Sequence, residues 1–360
     1  MVDSSEIDKL RKIIDEVDVS LLSLMNKRAD LAKQIGLVKK NQIKPGVVYR
    51  PDREALVIRR LLKENQGPLS EQSVVAIFKD IISSCRSLEA KPRVAYLGPE
   101  GSYTESAMLK HFGGFIEKHS CGDISSVFRA IEIGNADYGI VPIENSYGGS
   151  VTESLDSLIN NTAHIIGEVY LVIKHHLLST EESLEDIETV FAHQQSLSQC
   201  RLWLKTNLPN VNLVSVSSNS AAVQKSLIEK KSASIASSQA SEIYKIPSLE
   251  ANINDSNDNT TRFIVLGGEI NNTTGQDRTS IAFGVKNQFG ALYDVLTSFY
   301  NAGISLSKIE SRPSGQDLWE YVFYVDLVGH SDDEPLQAAL KEVSKKVSML
   351  KILGSYPQAF

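Results

Sequence analysis

Asn259-Thr260-Thr261-Arg262-Phe263 leaves a polar run, Asn252 to Asp258, and enters an apolar one, Ile264-Val265-Leu266-Gly267. That change marks the start of a strand. Alternation along the strand sends Thr261 and Phe263 to one face and Arg262 to the other. A hydroxyl, a guanidinium and a ring then stand together on a rigid edge, an arrangement suited to a site. Ordinary strand formers would give the same local pattern, so the stretch decides only in company with motifs elsewhere in the chain.

Upstream, Val94-Ala95-Tyr96-Leu97 leads through Gly98-Pro99-Glu100-Gly101 into a helix opening at Ser102-Tyr103-Thr104. A strand, a glycine turn and a hydroxyl-rich helix start together offer backbone N–H groups to an anion. The pattern recurs where Tyr138 to Pro142 runs into Ile143-Glu144-Asn145-Ser146-Tyr147-Gly148-Gly149-Ser150-Val151-Thr152, and where Val211 to Val216 runs into Ser217-Ser218-Asn219-Ser220. Alternating strands and helices predict an α/β module over residues 93–270, built as two lobes with a cleft between them. Downstream, Thr279 to Val285 reads as a strand, Gly290 to Tyr300 as a helix, Ile304 to Glu310 and Leu318 to Leu327 as strands, Glu334 to Val347 as a helix and Met349 to Tyr356 as a strand. That βαββαβ order predicts a ferredoxin-like α+β domain over residues 279–360.

A chain of 360 residues has room for two or three such domains. With 42% apolar and 22% charged residues it has the composition of an ordinary globular protein. Met1 to Lys12 is too polar for a signal peptide, and no apolar run is long enough to span a bilayer. Cys85, Cys121 and Cys200 form no C-x-x-C pair, which fits reduced thiols and a cytoplasmic location. The seven histidines show no metal-ligand spacing, and adjacent His175 and His176 would point to opposite faces of a strand. Charge is uneven: residues 1–92 carry 17 Lys and Arg against 13 Asp and Glu, the remainder 20 against 31. The basic first part is a separate module that could bind nucleic acid, but a net charge of +4 is modest, no aromatics are interleaved, and small anionic substrates explain it as well.

In that module Ile7, Leu10, Ile14, Val17, Leu21, Leu24, Leu31, Ile35 and Val38 follow a three-four spacing that predicts one long helix ending at Pro45-Gly46. Such a helix is too long for one small domain to cover, so a partner chain is expected on the seam. Two shorter helices follow, from near Asp52 to Gly67-Pro68 and from a Ser70 cap to just before Pro92. Arg28 stands on the seam where an apolar residue is expected. Lys39, about three turns on, shares its face, whereas Arg11 is rotated away and suits a different copy of the site. A snorkelling Arg28 and a solvated Lys39 are the plainer alternative.

With Arg53, Glu54 and Glu89 on the shorter helices, residues 5–90 resemble the all-helical chorismate mutases, intertwined dimers of one long and two short helices. The resemblance implies a Claisen rearrangement of chorismate to prephenate that needs no nucleophile, only a held conformer and charge stabilisation. It assigns Arg11 and Arg28 to the substrate carboxylates, Lys39 and Glu89 to the ether oxygen and Glu54 to the ring hydroxyl, with Arg53 also at the site. Arg50 stands where the best-known bacterial form has an acidic residue, and Cys85 where it has a Ser.

The middle module resembles prephenate dehydratase through Ala95 to Tyr103, Val141 to Ser146, Gly149-Ser150-Val151 and Asn259 to Phe263, departing at His193-Gln194-Gln195, where Pro is usual in the middle. This implies loss of the ring hydroxyl and carbon dioxide from prephenate to give phenylpyruvate. Thr261 would donate a hydrogen bond to the leaving oxygen, and Glu144 and His193 are candidate proton sources. Ser102, Tyr103, Asn145, Ser146, Ser150 and Phe263 would contact substrate. Arg262 would hold a carboxylate or, on the opposite strand face, form a structural ion pair.

Gly290-Ala291-Leu292 and Glu310-Ser311-Arg312-Pro313 resemble the phenylalanine-binding motifs of ACT domains. The expectation is a multidomain bifunctional enzyme with no cofactor and no metal, a homodimer or higher oligomer, feedback-inhibited by phenylalanine. Deleting residues 279–360 would abolish inhibition and leave activity if the remainder folds. A dehydratase acting on arogenate, one with an inactive mutase, and a non-catalytic sensor are the alternatives, and a sensor has no use for Thr261, Arg28 or Lys39.

Overall fold

The computed structural model describes residues 4–40, 49–268, 271–286, 288–313 and 321–359. The expected helix stop at Pro45-Gly46 and the start of the strand expected from Leu318 lie outside them. Two compact units form, residues 1–92 with 112–117, and residues 93–111 with 118–360.

The first unit holds three helices, α1 (Ser4–Lys40), α2 (Pro51–Glu64) and α3 (Glu71–Ser87). Proline suits the first position of α2, where its missing N–H is no loss. Ser70 caps α3 by accepting a hydrogen bond of 3.1 Å from the Ser73 amide. Ala55 and Ile58 of α2 and Val74, Ile82 and Cys85 of α3 are buried. At 1.5 Å per residue α1 is about 55 Å long. Leu10, Ile14, Val17, Leu21, Leu24 and Leu31 along it are each at least half exposed in the single chain. No helix among the described residues is long and apolar enough to cross a membrane.

The second unit contains three sheets. The strands Arg93–Leu97 and Tyr138–Asn145 pair in parallel, and Thr260–Gly267 lies antiparallel between Tyr138–Asn145 and His164–Val172. With Glu117–Cys121 and Gly149–Ser150 they make the six-stranded sheet of one lobe. The other lobe is a five-stranded sheet in which Thr189–His193 pairs in parallel with Asn212–Val216 and Ser232–Ala236. The chain passes from the first lobe to the second after Val172 and returns before Thr260, so the Thr-Arg-Phe strand closes the first lobe.

The third sheet is antiparallel, in the order Leu306–Pro313, Tyr321–Val328, Asp277–Val285, Met349–Pro357, with the helices Ala291–Asn301 and Glu334–Ser344. This is the ferredoxin-like arrangement expected from the element order. One face of the sheet packs with its own helices, burying Phe283, Val295, Phe299, Leu336 and Val343. The other face enters the core of the first lobe: Ala282, Val322, Tyr324, Leu353 and Tyr356 cluster with Val141, Ile143, Leu155, Ile165 and Ile264. Gly354 makes that approach possible, because a Cβ there would overlap the backbone carbonyl of Ile165.

The expected separability of residues 279–360 therefore meets a shared core. A chain ending at residue 278 exposes the apolar face of the first lobe and removes Asp326 and Tyr356 from buried Arg262. Its residues from 93 onward are expected to give no cooperative thermal transition. A sharp melt of this fragment by circular dichroism, at a temperature near that of the whole chain, would contradict the shared-core account.

Candidate functional site

A cleft of about 740 Å³ opens between the two lobes of the second unit. Thr261 and Phe263 line it together with Ser102, Tyr103, Asn145, Ser150 and His193. Thr261 and Asn145 are register partners on neighbouring strands, and Asn145 Nδ2 donates to Thr261 Oγ1 at 2.8 Å. The orientation of the Asn145 amide is fixed at its other end, where Oδ1 accepts from the Tyr147 and Gly148 amides at 3.0 and 2.9 Å. Two backbone donors there require an oxygen, so the NH₂ must face Thr261. Because Nδ2 has no lone pair, Thr261 receives that bond and keeps its own hydroxyl proton to give elsewhere.

From this pair a polar chain runs along the cleft. Asn145 Nδ2 also donates to Asn259 Oδ1 at 2.8 Å, and Asn259 Nδ2 donates to Gln199 Oε1 at 2.9 Å. Gln199 Oε1 lies 2.8 Å from His175 Nε2, and the Tyr103 hydroxyl 2.7 Å from His175 Nδ1. Burial lowers the pKa of His175 to about 4 and raises that of Tyr103 well above its ordinary value. Both are neutral near pH 7 and act as hydrogen-bonding groups. Two buried atoms of cleft residues, Gln199 Nε2 and Ser220 Oγ, meet no protein partner among the described residues.

Sequence reasoning did not single out Asn259, Gln199, His175 or Ser220 as site residues. Asn259 stood at the head of the decisive stretch, and Ser220 in a hydroxyl-rich helix start, so both carried a signal. Gln199 and His175 carried none, because segments remote in sequence bring them together. His175 lies just before the strand His176–Ser179, in the chain's crossing between lobes.

In the first unit Lys39 Nζ lies 3.2 Å from Glu89 Oε2. Glu89 follows the end of α3, and Gly36 of α1 makes room for it, since a Cβ at Gly36 would come 2.8 Å from Glu89 Cγ. Arg28 is half-buried and Arg53 exposed. Glu54 is held by Arg86 Nη1 at 2.5 Å, so its carboxylate, expected at a ring hydroxyl, already has a partner. Burial raises the pKa of Glu54 against the opposing charges of Arg86, Lys79 and Arg28. Arg86 is itself buried, one turn after Ile82 on the inward stripe of α3, and its guanidinium lies 4.8 Å from the Tyr49 ring centroid. Arg11 pairs with Asp8 and its side chain is 72% exposed. Along α1 it stands about 25 Å from Arg28, so the two cannot meet on one substrate within a chain.

Residues 94–271 match the prephenate dehydratase family, residues 10–90 chorismate mutase type II and residues 279–345 the ACT domain. A bifunctional chorismate mutase/prephenate dehydratase of Aquifex aeolicus is 43% identical over 358 residues, covering 98% of each chain. Its counterpart from Pseudomonas aeruginosa is 42% identical over the full length of both. The chain belongs to the bifunctional chorismate mutase/prephenate dehydratase family. Among solved structures, a prephenate dehydratase from Arthrobacter aurescens in complex with L-Phe superposes with a TM-score of 0.69 at 31% identity, covering 74% of this chain and 89% of that one.

Not every residue expected in the dehydratase cleft lies there. Ser146 is exposed and braces Thr260, whose amide donates to its Oγ at 3.0 Å. Arg262 and Glu144, register partners directly behind Thr261 and Asn145, face away. Arg262 is buried and bound by Glu168 at 2.9 Å, Asp326 at 2.5 Å and the Tyr356 hydroxyl at 2.9 Å, which resolves its two readings in favour of a structural ion pair. Glu144 pairs with Lys308 at 2.9 Å. Strand alternation is the reason in both cases. The expected effector residues divide in the same way. Glu310 accepts from Ser150 Oγ at 3.0 Å and Arg312 pairs with Asp156 at 2.9 Å, while Ser311 and Pro313 point outward. Gly290 starts its helix with a φ of 77°, a left-handed conformation that favours glycine, followed by half-buried Ala291 and Leu292. Among the described residues no three His, Cys, Asp or Glu side chains are grouped to hold a metal.

Replacing Arg262 by Ala leaves buried Asp326 without its cation and Glu168 with Arg278 alone, and is expected to lower stability by about 3–5 kcal/mol in urea unfolding. A residue serving only a substrate carboxylate would leave stability unchanged and raise KM.

His175 gives a second test. Its folded pKa lies below its unfolded one, so the unfolded chain takes up the proton first and stability is lost as pH falls from 6.5 towards 4. The expected slope from this residue is about 1.4 kcal/mol per pH unit. His175→Gln should remove that part of the acid loss, and parallel pH–stability curves for the two proteins would count against it.

Proposed function

We propose that the chain converts chorismate to prephenate in a helical module, residues 1–92, and prephenate to phenylpyruvate in the cleft of residues 93–270, under control of phenylalanine bound to an ACT domain at residues 279–360. The observation that carries the dehydratase reading is the Asn145–Thr261 pair. Asn145 occupies a lone pair of Thr261 Oγ1 and leaves its proton directed at a bound ligand. Aromatisation drives the reaction, so the site need only stabilise departing hydroxide, and a positioned hydroxyl donor does that. Gln199 Nε2 and Ser220 Oγ on the opposite lobe, which meet no partner among the described residues, suit the oxygens of a small dicarboxylate. His193, which lines the cleft, is the remaining candidate proton source.

For the mutase, Arg28 and Lys39 lie on one helix face with Glu89 beside Lys39. Lys39 would stabilise charge on the breaking ether oxygen, and Glu89 would help only while it carries a proton to donate. Arg11, exposed and about 25 Å along α1 from Arg28, suits the site of a second copy. The uncovered apolar stripe of α1 supports a homodimer that buries it. Three buried free cysteines fit a cytoplasmic enzyme.

The two activities should separate by mutation. Thr261→Ala is expected to lower dehydratase kcat/KM by about 10² to 10⁴ and to spare the mutase, with Lys39→Ala having the reverse effect. Assay of each variant with chorismate and with prephenate checks both halves, and turnover of prephenate by Thr261→Ala at the wild-type rate would remove Thr261 from its role.

A further inference from the structure

Asn145 and Thr261 face the cleft as a cross-strand pair, and the residues beside them in sequence, Glu144 and Arg262, form the cross-strand pair on the opposite face. That rear pair is gripped entirely from the C-terminal sheet and one neighbouring strand. Lys308, in the edge strand Leu306–Pro313, reaches Glu144 Oε2 at 2.9 Å and donates to Ser150 Oγ at 3.2 Å. Asp326 and the Tyr356 hydroxyl hold Arg262 at 2.5 and 2.9 Å.

We propose that the C-terminal sheet positions the Asn145–Thr261 pair through Glu144 and Arg262, which makes Lys308 and Tyr356 positioning residues for the dehydration. The proposal rests on the reading of Thr261 as the hydrogen-bond donor to the leaving hydroxyl.

Three features carry it. Each gripped residue is one peptide unit from a cleft residue, and an extended strand has no slack to absorb a shift between neighbours. The pairing of the Thr261 strand with Tyr138–Asn145 is irregular between Arg262 and Phe263, so on that side the register of Thr261 rests on its own pair with Asn145 and on the gripped pair Arg262–Glu144. The two basic side chains are also largely removed from water, Lys308 at 15% and Arg262 at 7% exposure, while Glu144 keeps 38%. An ammonium and a guanidinium so placed hold their partners because the alternative is an unpaired charge away from solvent. A displacement of the donor by well under 1 Å is enough to change the rate of a reaction that depends on its aim.

Lys308→Met keeps most of the stem and removes the charge. It is expected to lower dehydratase kcat by ten- to a hundredfold while KM changes less than about threefold and mutase turnover by the same chain stays at the wild-type rate. Lys308→Arg should restore most of the loss. On an Asn145→Ala background the Lys308→Met effect should disappear, because the pair through which Lys308 acts is already broken. A purely structural role predicts instead a lowered melting temperature with kcat per folded molecule unchanged. Should Lys308→Met not fold, Tyr356→Phe, which removes one acceptor from Arg262 and no charge, makes the same prediction. A folded variant at either position with kcat within twofold of wild type, or losses that multiply with those of Asn145→Ala, overturns the proposal. Wild-type turnover by Thr261→Ala would instead overturn the reading on which it rests, so the two failures are distinct.

Discussion

A strand can serve two masters because its side chains alternate, and in this protein that alternation is applied at one cross-strand position. In front, Asn145 and Thr261 make a polar pair at the cleft. Behind, Glu144 and Arg262 meet a second domain. The buried guanidinium is the constraint that ties these together, since its two carboxylates come from different parts of the unit, Glu168 from a neighbouring strand of the lobe and Asp326 from the C-terminal sheet. A buried ion pair of this kind adds little net stability compared with an apolar packing of the same volume, but it is intolerant of misplacement. Its effect is to specify where the C-terminal sheet sits against the lobe. Arg278, which shares Glu168 at 2.5 Å, and Ser280, which bonds both Asp326 and Tyr356, extend the same network.

The cleft follows another logic. Its polar chain from Thr261 to Tyr103 consists of neutral groups, and burial keeps His175 neutral at working pH. Uncharged donors and acceptors with fixed orientation leave the charge in the site to the ligand. An anion entering such a cleft meets dipoles already aimed and needs no counter-ion to be displaced.

Much of this was legible in the sequence. The long helix showed itself by its three-four apolar spacing, the Ser70 cap by its hydroxyl before a periodic run, and the division of Thr261 and Phe263 from Arg262 by strand alternation alone. What alternation could not supply was the identity of the material on the far face, which is why Arg262 stayed open between two readings and Glu144 was placed with the substrate. Lys308 was invisible for the same reason: a lysine on an edge strand reads as a solvated guard against aggregation until a second sheet is known to cover it. Gln199 and His175 meet Asn259 and Tyr103 only because the chain crosses between lobes twice, and no local pattern encodes that meeting. Arg86 could have been found, since it continues the buried stripe of α3 one turn after Ile82.

Gly354 carries a consequence for descent. Where two backbones lie so close that no side chain fits between them, neither sheet can drift in sequence without the other. A foreign C-terminal domain joined between residues 270 and 279 would fit the lobe only if it brought a residue without a Cβ against Ile165 and an acid to Arg262. Exchange of the domain is therefore constrained at two points at once, and substitution on the exposed edge of the sheet is the less constrained way to a new effector specificity.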